Sequence, residues 1–298
     1  MKVLCIGHAC YDVSYISDEY PEENNKYRIN NSYDCGGGSA ENAAYLLGKW
    51  EVETYFQGKV GRDTFGRRIL EELSSVNVDT SLIEVSSIED TSISFVIINQ
   101  ENGSRTLFDN NKSNSLKLKE YDFTPDIILV DGTYPEISSN AINKFPNAIS
   151  VIDADKVSDE VIDLCKKCNY VICSSSFGAS LTNMEIDYKN TESLKNMYEE
   201  LSSLFEGTVI VTLEEHGCIY KINNKIKLMS ALKVKVEDTC GSGDIFHGAF
   251  VYGLSKGLEL EKCLKIANIT ASLSVTKVGV KSSIPELLEV HQIYEKNR

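Results

Sequence analysis

The sequence predicts an α/β protein with a mostly parallel central sheet and a small β-sheet lid, and three observations carry that expectation. From residue 126 onward, short apolar runs alternate with helical stretches. Ile127–Val130, Ser150–Ile152, Tyr170–Cys173 and Thr208–Leu213 read as strands, with Ser138–Lys144, Ser158–Lys166 and Glu192–Leu204 as helices between them. Such alternation implies parallel strands covered on both faces. Glycine-rich turns open two further helices, at Gly36-Gly37-Gly38 and Gly241-Ser242-Gly243. A glycine turn running into a helix is an anion site made of backbone amides. Finally, the segment of about 12–35 alternates weakly and is too polar on one face for a core, while about 91–108 reads as a hairpin of two strand-like runs. They are expected to pair as the lid of a single domain spanning 1–298.

In chain order, Lys2 to Gly7 is a short apolar strand ending in glycine, with Asp12 five residues on. The end of a first strand is where open α/β sheets place ligand groups; Asp12 reads equally as a turn former. Around Pro21–Asn25 the chain turns between thin strands. Cys35 to Gly48 is a glycine-opened helix in which Ser39 reads as an N-cap or a ligand contact. Asn42 in its first turn is a poor helix former, which favours ligand contact. Glu53–Gln57 is a second strand, and 58–66 a loop into a helix that runs through Leu73. Residues 92–99 and 104–108 flank Asn102-Gly103, a hairpin signal.

The stretch 232–250 holds the densest chemistry. Leu232, Val234 and Val236 alternate with Lys233, Lys235 and Glu237 as a half-buried strand, followed by the Gly241-Ser242-Gly243 turn and an apolar helix from Ile245. Asp244 lies in the first turn of that helix. It reads either as an acid complementing the helix dipole, or as a base taking a proton from a hydroxyl that attacks a phosphoryl group held by the turn. A dinucleotide fingerprint would need a third glycine where Phe246 stands. No Walker A loop occurs in the chain.

Composition sets outer limits. The 298 residues suffice for one large core and an appended unit. A net charge of -14 with no basic cluster argues against nucleic acid or an anionic membrane as partner. No apolar run approaches the roughly 18 residues of a membrane span, and because the chain enters a strand at Lys2 without a long apolar stretch, no signal peptide is expected. The nine cysteines, scattered through apolar stretches, are expected buried and reduced in a cytoplasmic protein. Cys165 and Cys168 have zinc-like spacing without a second ligand pair.

Together the glycine turns resemble the ribokinase-like, or PfkB, carbohydrate kinases over essentially the whole chain. The matching elements are Gly7 with Asp12, Gly37-Gly38 with Asn42, and Gly58-x-Val60-Gly61-x-Asp63-x-x-Gly66. Asp238-Thr239-Cys240-Gly241-Ser242-Gly243-Asp244-x-Phe246 and the run from Ala267-Asn268 to Gly279 and Pro285 complete them. The resemblance implies a three-layer ribokinase-like fold and transfer of phosphate from ATP, carried with Mg2+, to a sugar hydroxyl. It implies Asp244 as catalytic base, with Gly241, Ser242 and Gly243 as the anion hole. Asp12, Gly37, Gly38, Ser39 and Asn42 fall on sugar-binding positions, and Thr212, Gly217 and Asn268 on nucleotide-binding ones. A K+ loop would involve Asp238, Cys240 and Ser283. Pairing of lids into a homodimer is a further family expectation.

Within the family, the hairpin Ile97–Thr106 looks like that of ketohexokinases and sulfofructose kinases, and Arg105 falls where that subgroup reaches the substrate; its alternative is a surface charge on the lid. Two departures stand out. The family's Asn-x-x-Glu motif is missing near Cys173–Leu181, and Ser39 replaces the lysine of ribokinases and the asparagine of ketohexokinases. The resemblance of the hairpin makes a ketose-like hexose or derivative the expected acceptor. A nucleoside acceptor, stacked on Tyr27, Tyr33 or Phe95, and a catalytically silent sugar-binding regulator are the alternatives.

Overall fold

The computed structural model of the chain describes residues 1–29, 31–101, 104–110 and 115–296. In chain order the first half holds β1 (Lys2–Ile6), β2 (Cys10–Ser17), β3 (Asn31–Gly37), α1 (Ser39–Lys49), β4 (Glu53–Gln57), β5 (Lys59–Gly61), α2 (Thr64–Ser75), β6 (Glu84–Ser86), β7 (Ser92–Asn99), β8 (Arg105–Asp109) and β9 (Ile127–Val130). Next come α3 (Pro135–Lys144), β10 (Ile149–Ala154), α4 (Asp159–Cys165), β11 (Tyr170–Ser174), α5 (Ser175–Thr182) and α6 (Thr191–Ser203). The remainder is β12 (Thr208–Thr212), β13 (Cys218–Ile222), β14 (Lys225–Met229), α7 (Ser242–Ser255), α8 (Leu260–Ser274), α9 (Val280–Ser283) and α10 (Leu287–Lys296).

Eight strands form the central sheet in the order β14-β13-β12-β11-β10-β9-β1-β4. The six from β12 to β4 pair in parallel, and the β13–β14 hairpin adds an antiparallel edge. Strand alternation feeds two cores. Val3 and Cys5 of β1 pack with α1, α7 and α8 on one face, while Leu4 and Ile6 pack with α3 to α6 on the other. This is why β1 is apolar without a break.

A second sheet has the order β3-β2-β7-β8. β2 lies antiparallel to β3 and parallel to β7, and β7 and β8 form a hairpin. Its Asn102-Gly103 turn lies outside the described residues. The glycine loop at 58–66 is more ordered than the sequence suggests, because β5 pairs with β6. Asp63 caps α2 by accepting from the Gly66 amide at 2.8 Å, and also accepts from the Thr91 amide at 2.7 Å. That acid therefore anchors the entry of β7 to the start of α2.

The half-buried strand expected at 232–237 is absent. The sheet edge is already taken by β14, so the segment runs along α8 instead. The Leu232 amide donates to Ser272 Oγ at 3.1 Å, and the amides of Glu237 and Asp238 converge on the Val275 carbonyl. Ser39 is likewise not an N-cap: Gly38 holds that position and Ser39 begins the helix. All nine cysteines are free thiols, with Cys35 and Cys240 only partly buried. Among the described residues no trio of His, Cys, Asp or Glu could hold a metal, and no helix is long and apolar enough to cross a membrane.

One buried ionic cluster ties three helices to the second sheet. Lys281 of α9 bonds Glu41 of α1 at 2.7 Å and Glu72 of α2 at 2.5 Å, and Glu72 accepts from the Gly36 amide of β3 at 2.9 Å. Burial alone would lower the Lys281 ammonium; the two carboxylates overcome it and hold it raised. Lys281→Met should cost about 3–5 kcal/mol in urea unfolding, because the buried Glu41 carboxylate and the half-buried Glu72 lose their cation. Replacing Glu41 and Glu72 by leucine in the same chain should recover most of that loss.

Candidate active site

α1 and α7 both begin at glycines and lie side by side. At the start of α7, Gly241 sits at φ +70°, and a β-carbon there would press to 2.3 Å from Val280 Cγ1. Gly243 differs, since a β-carbon would meet no protein atom within 4 Å. No acceptor among the described residues takes the Gly243 and Asp244 amides, whereas the Ile245 amide is bonded to the Gly241 carbonyl at 2.9 Å. Two free amides at a helix start, beside open space, form an anion-binding cradle.

At the start of α1, Gly38 holds φ +110° with its α-carbon against the His8 carbonyl. A β-carbon on Gly37 would come within 2.2 Å of Asp12 Oδ2. The glycine thus lets the Asp12 carboxylate lie flat on β3. Asp131, at the end of β9, ties this corner together by accepting from the amides of His8 at 2.8 Å, Ala40 at 3.4 Å and Thr133 at 3.0 Å.

The two helix starts meet through their side chains. Asn42 Nδ2 donates to Asp244 Oδ2 at 2.7 Å. Burial raises the Asp244 carboxyl above the usual range, against the bonds from Asn42 and Ser39 and the nearby His247 and Arg105 charges. Asp12 is also raised, first by burial and further by Asp244 itself. Its Oδ1 accepts from Cys10 Sγ at 3.2 Å. Several polar atoms here are buried and have no partner among the described residues: Asn42 Oδ1 and both ring nitrogens of His8. Hydrogen-bonding groups left open around two acids are suited to a hydroxyl-rich molecule.

The remaining candidates fall into separate places. Arg105 of β8 reaches the same turn, donating to the Thr239 carbonyl at 2.6 Å. Thr212 ends β12, opposite Cys218 across the β12–β13 pair. Gly217 and Asn268 converge on 229–231: a β-carbon on Gly217 would strike the Met229 carbonyl, and Asn268 Nδ2 donates to the Ser230 carbonyl at 2.9 Å. Asp238 accepts from the Cys240 amide, the Gly279 amide and Tyr33 Oη, while Ser283 Oγ donates to the Val280 carbonyl. The carboxylate offered to a potassium ion is thus occupied by three donors.

Sequence reasoning passed over His247 and Lys281. His247 Nδ1 meets the Gly243 carbonyl at 2.7 Å, and the i, i+4 spacing to that glycine was the available signal. For Lys281 the signal was a lysine directly after the apolar Val280, where a solvated side chain is unexpected.

The fold and its two helix-start cradles define a ribokinase-like α/β protein. The structure of Arabidopsis thaliana ribokinase complexed with ribose and ATP matches with a TM-score of 0.79 at 20% identity, over 98% of this chain and 97% of that one. The ribokinase of Staphylococcus aureus is 25% identical over 304 residues, covering 98% of this chain and 99% of that protein. The nucleoside kinase of Methanocaldococcus jannaschii is also 25% identical, over 308 residues, 100% of this chain and 98% of that protein. The sequence model of the pfkB family carbohydrate kinases matches residues 1–287. The chain belongs to that family, and it is a sugar or nucleoside kinase.

The two turn glycines predict different responses. Gly241→Ala should destabilise the protein by at least about 1–2 kcal/mol, from left-handed strain alone. Gly243→Ala should leave the protein as stable or more so, by up to about 1 kcal/mol, because nothing in the protein opposes the methyl group and alanine restricts the unfolded chain. Thermal melts of the two variants check this pair.

Proposed function

We propose that this chain transfers the terminal phosphoryl group of ATP to a hydroxyl of a small sugar, with Asp244 as general base. The observation that carries the reading is the Asn42–Asp244 hydrogen bond, which sets a buried acid between two helix starts, beside the free amides of α7 and open polar groups at the start of α1. The Gly241, Ser242 and Gly243 turn would hold the transferring group, and Asp244 would take the hydroxyl proton as its oxygen attacks phosphorus. Mg2+ carried on ATP would neutralise part of the phosphate charge, leaving the protein chiefly to position and stabilise.

On the acceptor side stand Asp12, Gly37, Gly38, Ser39, Asn42 and Arg105; on the nucleotide side, Thr212, Gly217 and Asn268. Asp12 would accept from a second hydroxyl and fix which one faces Asp244. The second sheet, from segments 12–35 and 91–108, acts as the lid, with Arg105 as its cation at the phosphoryl position. The acceptor favoured is a ketose-like hexose or derivative, as in ketohexokinases and sulfofructose kinases. A nucleoside is less well served. Phe95 pairs with Phe108 on the face of the lid opposite Asp12 and Ser94, and the Tyr33 hydroxyl is committed to Asp238. Phe95 and Phe108 are 46% and 57% exposed, an apolar patch suited to lid pairing in a homodimer.

An ADP-release panel of ribose, fructose, other hexoses and adenosine, with and without potassium chloride, tests the reading. Turnover with a ketohexose is the expected result. No ADP release with any member, alongside a ligand-induced thermal shift, would point instead to a silent binder. Because Asp238 is already occupied, potassium should change the rate only slightly.

Asp244→Ala should lower kcat roughly 100- to 10,000-fold, the range of a general base. The pH dependence follows from the raised Asp244 carboxyl. A base works ionised, so kcat/KM should fall as pH drops through its folded value, at a higher pH than an exposed aspartate would give. A kcat/KM profile that stays flat down to the ordinary carboxylate range would contradict this assignment.

A further inference from the structure

His247 lies one turn into α7, 4% exposed, with its ring between that helix and the central sheet. Its Nδ1 is 2.7 Å from the Gly243 carbonyl. A carbonyl only accepts, so Nδ1 carries the hydrogen. Its Nε2 is 3.3 Å from Asp153 Oδ1, at the end of β10, and 3.5 Å from the Ile172 carbonyl of β11. The Gly243 carbonyl and the Asp244 N–H belong to one peptide unit, and that N–H is a free donor of the cradle.

We infer that His247 is a positioning residue for phosphoryl transfer: by bonding the Gly243 carbonyl it orients and polarises the peptide whose N–H, on Asp244, faces the transferring group, while Asp153 holds the imidazole in place. This rests on the reading above that the turn receives a phosphoryl group. A hydrogen bond at the carbonyl end of an amide strengthens its N–H as a donor. Donors aimed at developing phosphoryl charge act on the barrier more than on ground-state binding. Leucine at 247 would fill the space without giving the bond.

Both ring contacts are satisfied when one proton is shared between Nε2 and Asp153 in addition to the Nδ1 hydrogen. Once that proton leaves, a single imidazole hydrogen must serve both Gly243 and Asp153. Burial pushes the Asp153 carboxyl up to about 7, opposed by His247, and Asp244, Asp131 and Asp155 raise it further. The groups facing the pair are Asp131 just beyond β9, Asp155 beyond β10, Cys173 on β11 and Asp244 on α7, all of them acids. The Gly243 bond should therefore be complete on the acid side of neutrality and weaken as pH rises.

The test follows the residue-244 amide by 15N–1H NMR of the full chain from pH 5 to 9, without ligands. An Asp244→Asn background removes that side chain's own titration. The amide should move as Asp153 loses its proton. Adding Asp153→Asn, whose side-chain amide can donate to Nε2 and fix the Nδ1–H form, should abolish the movement and hold the acid-side position. Adding His247→Leu should displace the resonance upfield and abolish its titration; His247→Asn, which can donate to the same carbonyl, should lie between. A titration unchanged by Asp153→Asn, or a His247→Leu resonance coincident with the parent, overturns the inference.

With Asp244 intact and the acceptor that the wild-type chain phosphorylates fastest, His247→Leu should lower kcat about 10- to 100-fold while KM changes little, and His247→Asn should recover most of it. Unchanged kcat in His247→Leu overturns this inference alone. A wild-type chain that phosphorylates nothing overturns the proposed function, and the amide titration still decides the role of His247.

Discussion

The close approach of α1 and α7 is the constraint on which the candidate site depends. Where the helices touch, a β-carbon on Gly248 would come within 3.1 Å of the Ala43 α-carbon and carbonyl. A glycine facing an alanine lets the two backbones nearly meet, which larger residues would prevent. Asn42 adjoins Ala43, and Asp244 lies one turn before Gly248. The helix contact therefore brings the two side chains to 2.7 Å. Both helix starts then open toward the same space, and neither cradle would face the other if the helices were splayed.

The corner holds several acids in a chain of net charge -14, an awkward setting for a phosphate. Burial raises Asp12, Asp153 and Asp244 alike, which favours their neutral forms until a donor or cation compensates. Compensation is local in each case. Asp244 has Asn42, Ser39 and the Arg105 charge, Asp153 has His247, and Asp131 has three backbone amides. Protein cations are scarce around the turn, so an arriving phosphate would depend on free amides, on Arg105 and on whatever cation it brings with it.

Much of this was legible in the sequence. The strand–helix alternation after residue 126 corresponds closely to β9 through β12, because parallel strands buried on both faces must be continuously apolar. Glycine turns marked both helix starts, since backbone that approaches other backbone so closely admits nothing larger. Legibility failed where tertiary competition decided. The alternation at 232–237 is real, but β14 had closed the sheet edge and α8 supplied other acceptors. Ser39 has the chemistry of a cap, yet Gly38 takes the cap position. The Lys281 cluster joins residues more than 200 positions apart, a pairing that no local pattern encodes.

The second sheet does more than cover the corner, because two of its strands grip the 238–244 turn from different sides. Tyr33 of β3 donates to Asp238 at 2.7 Å, and Arg105 of β8 donates to the Thr239 carbonyl at 2.6 Å. Asp238 in turn accepts from the Cys240 amide, fixing the backbone just before Gly241. From the opposite side, His247 fixes the Gly243 carbonyl. The first half of the turn is thus held by the second sheet, through Asp238 and Thr239, and the second half from within α7, where His247 is itself backed by Asp153 of the central sheet.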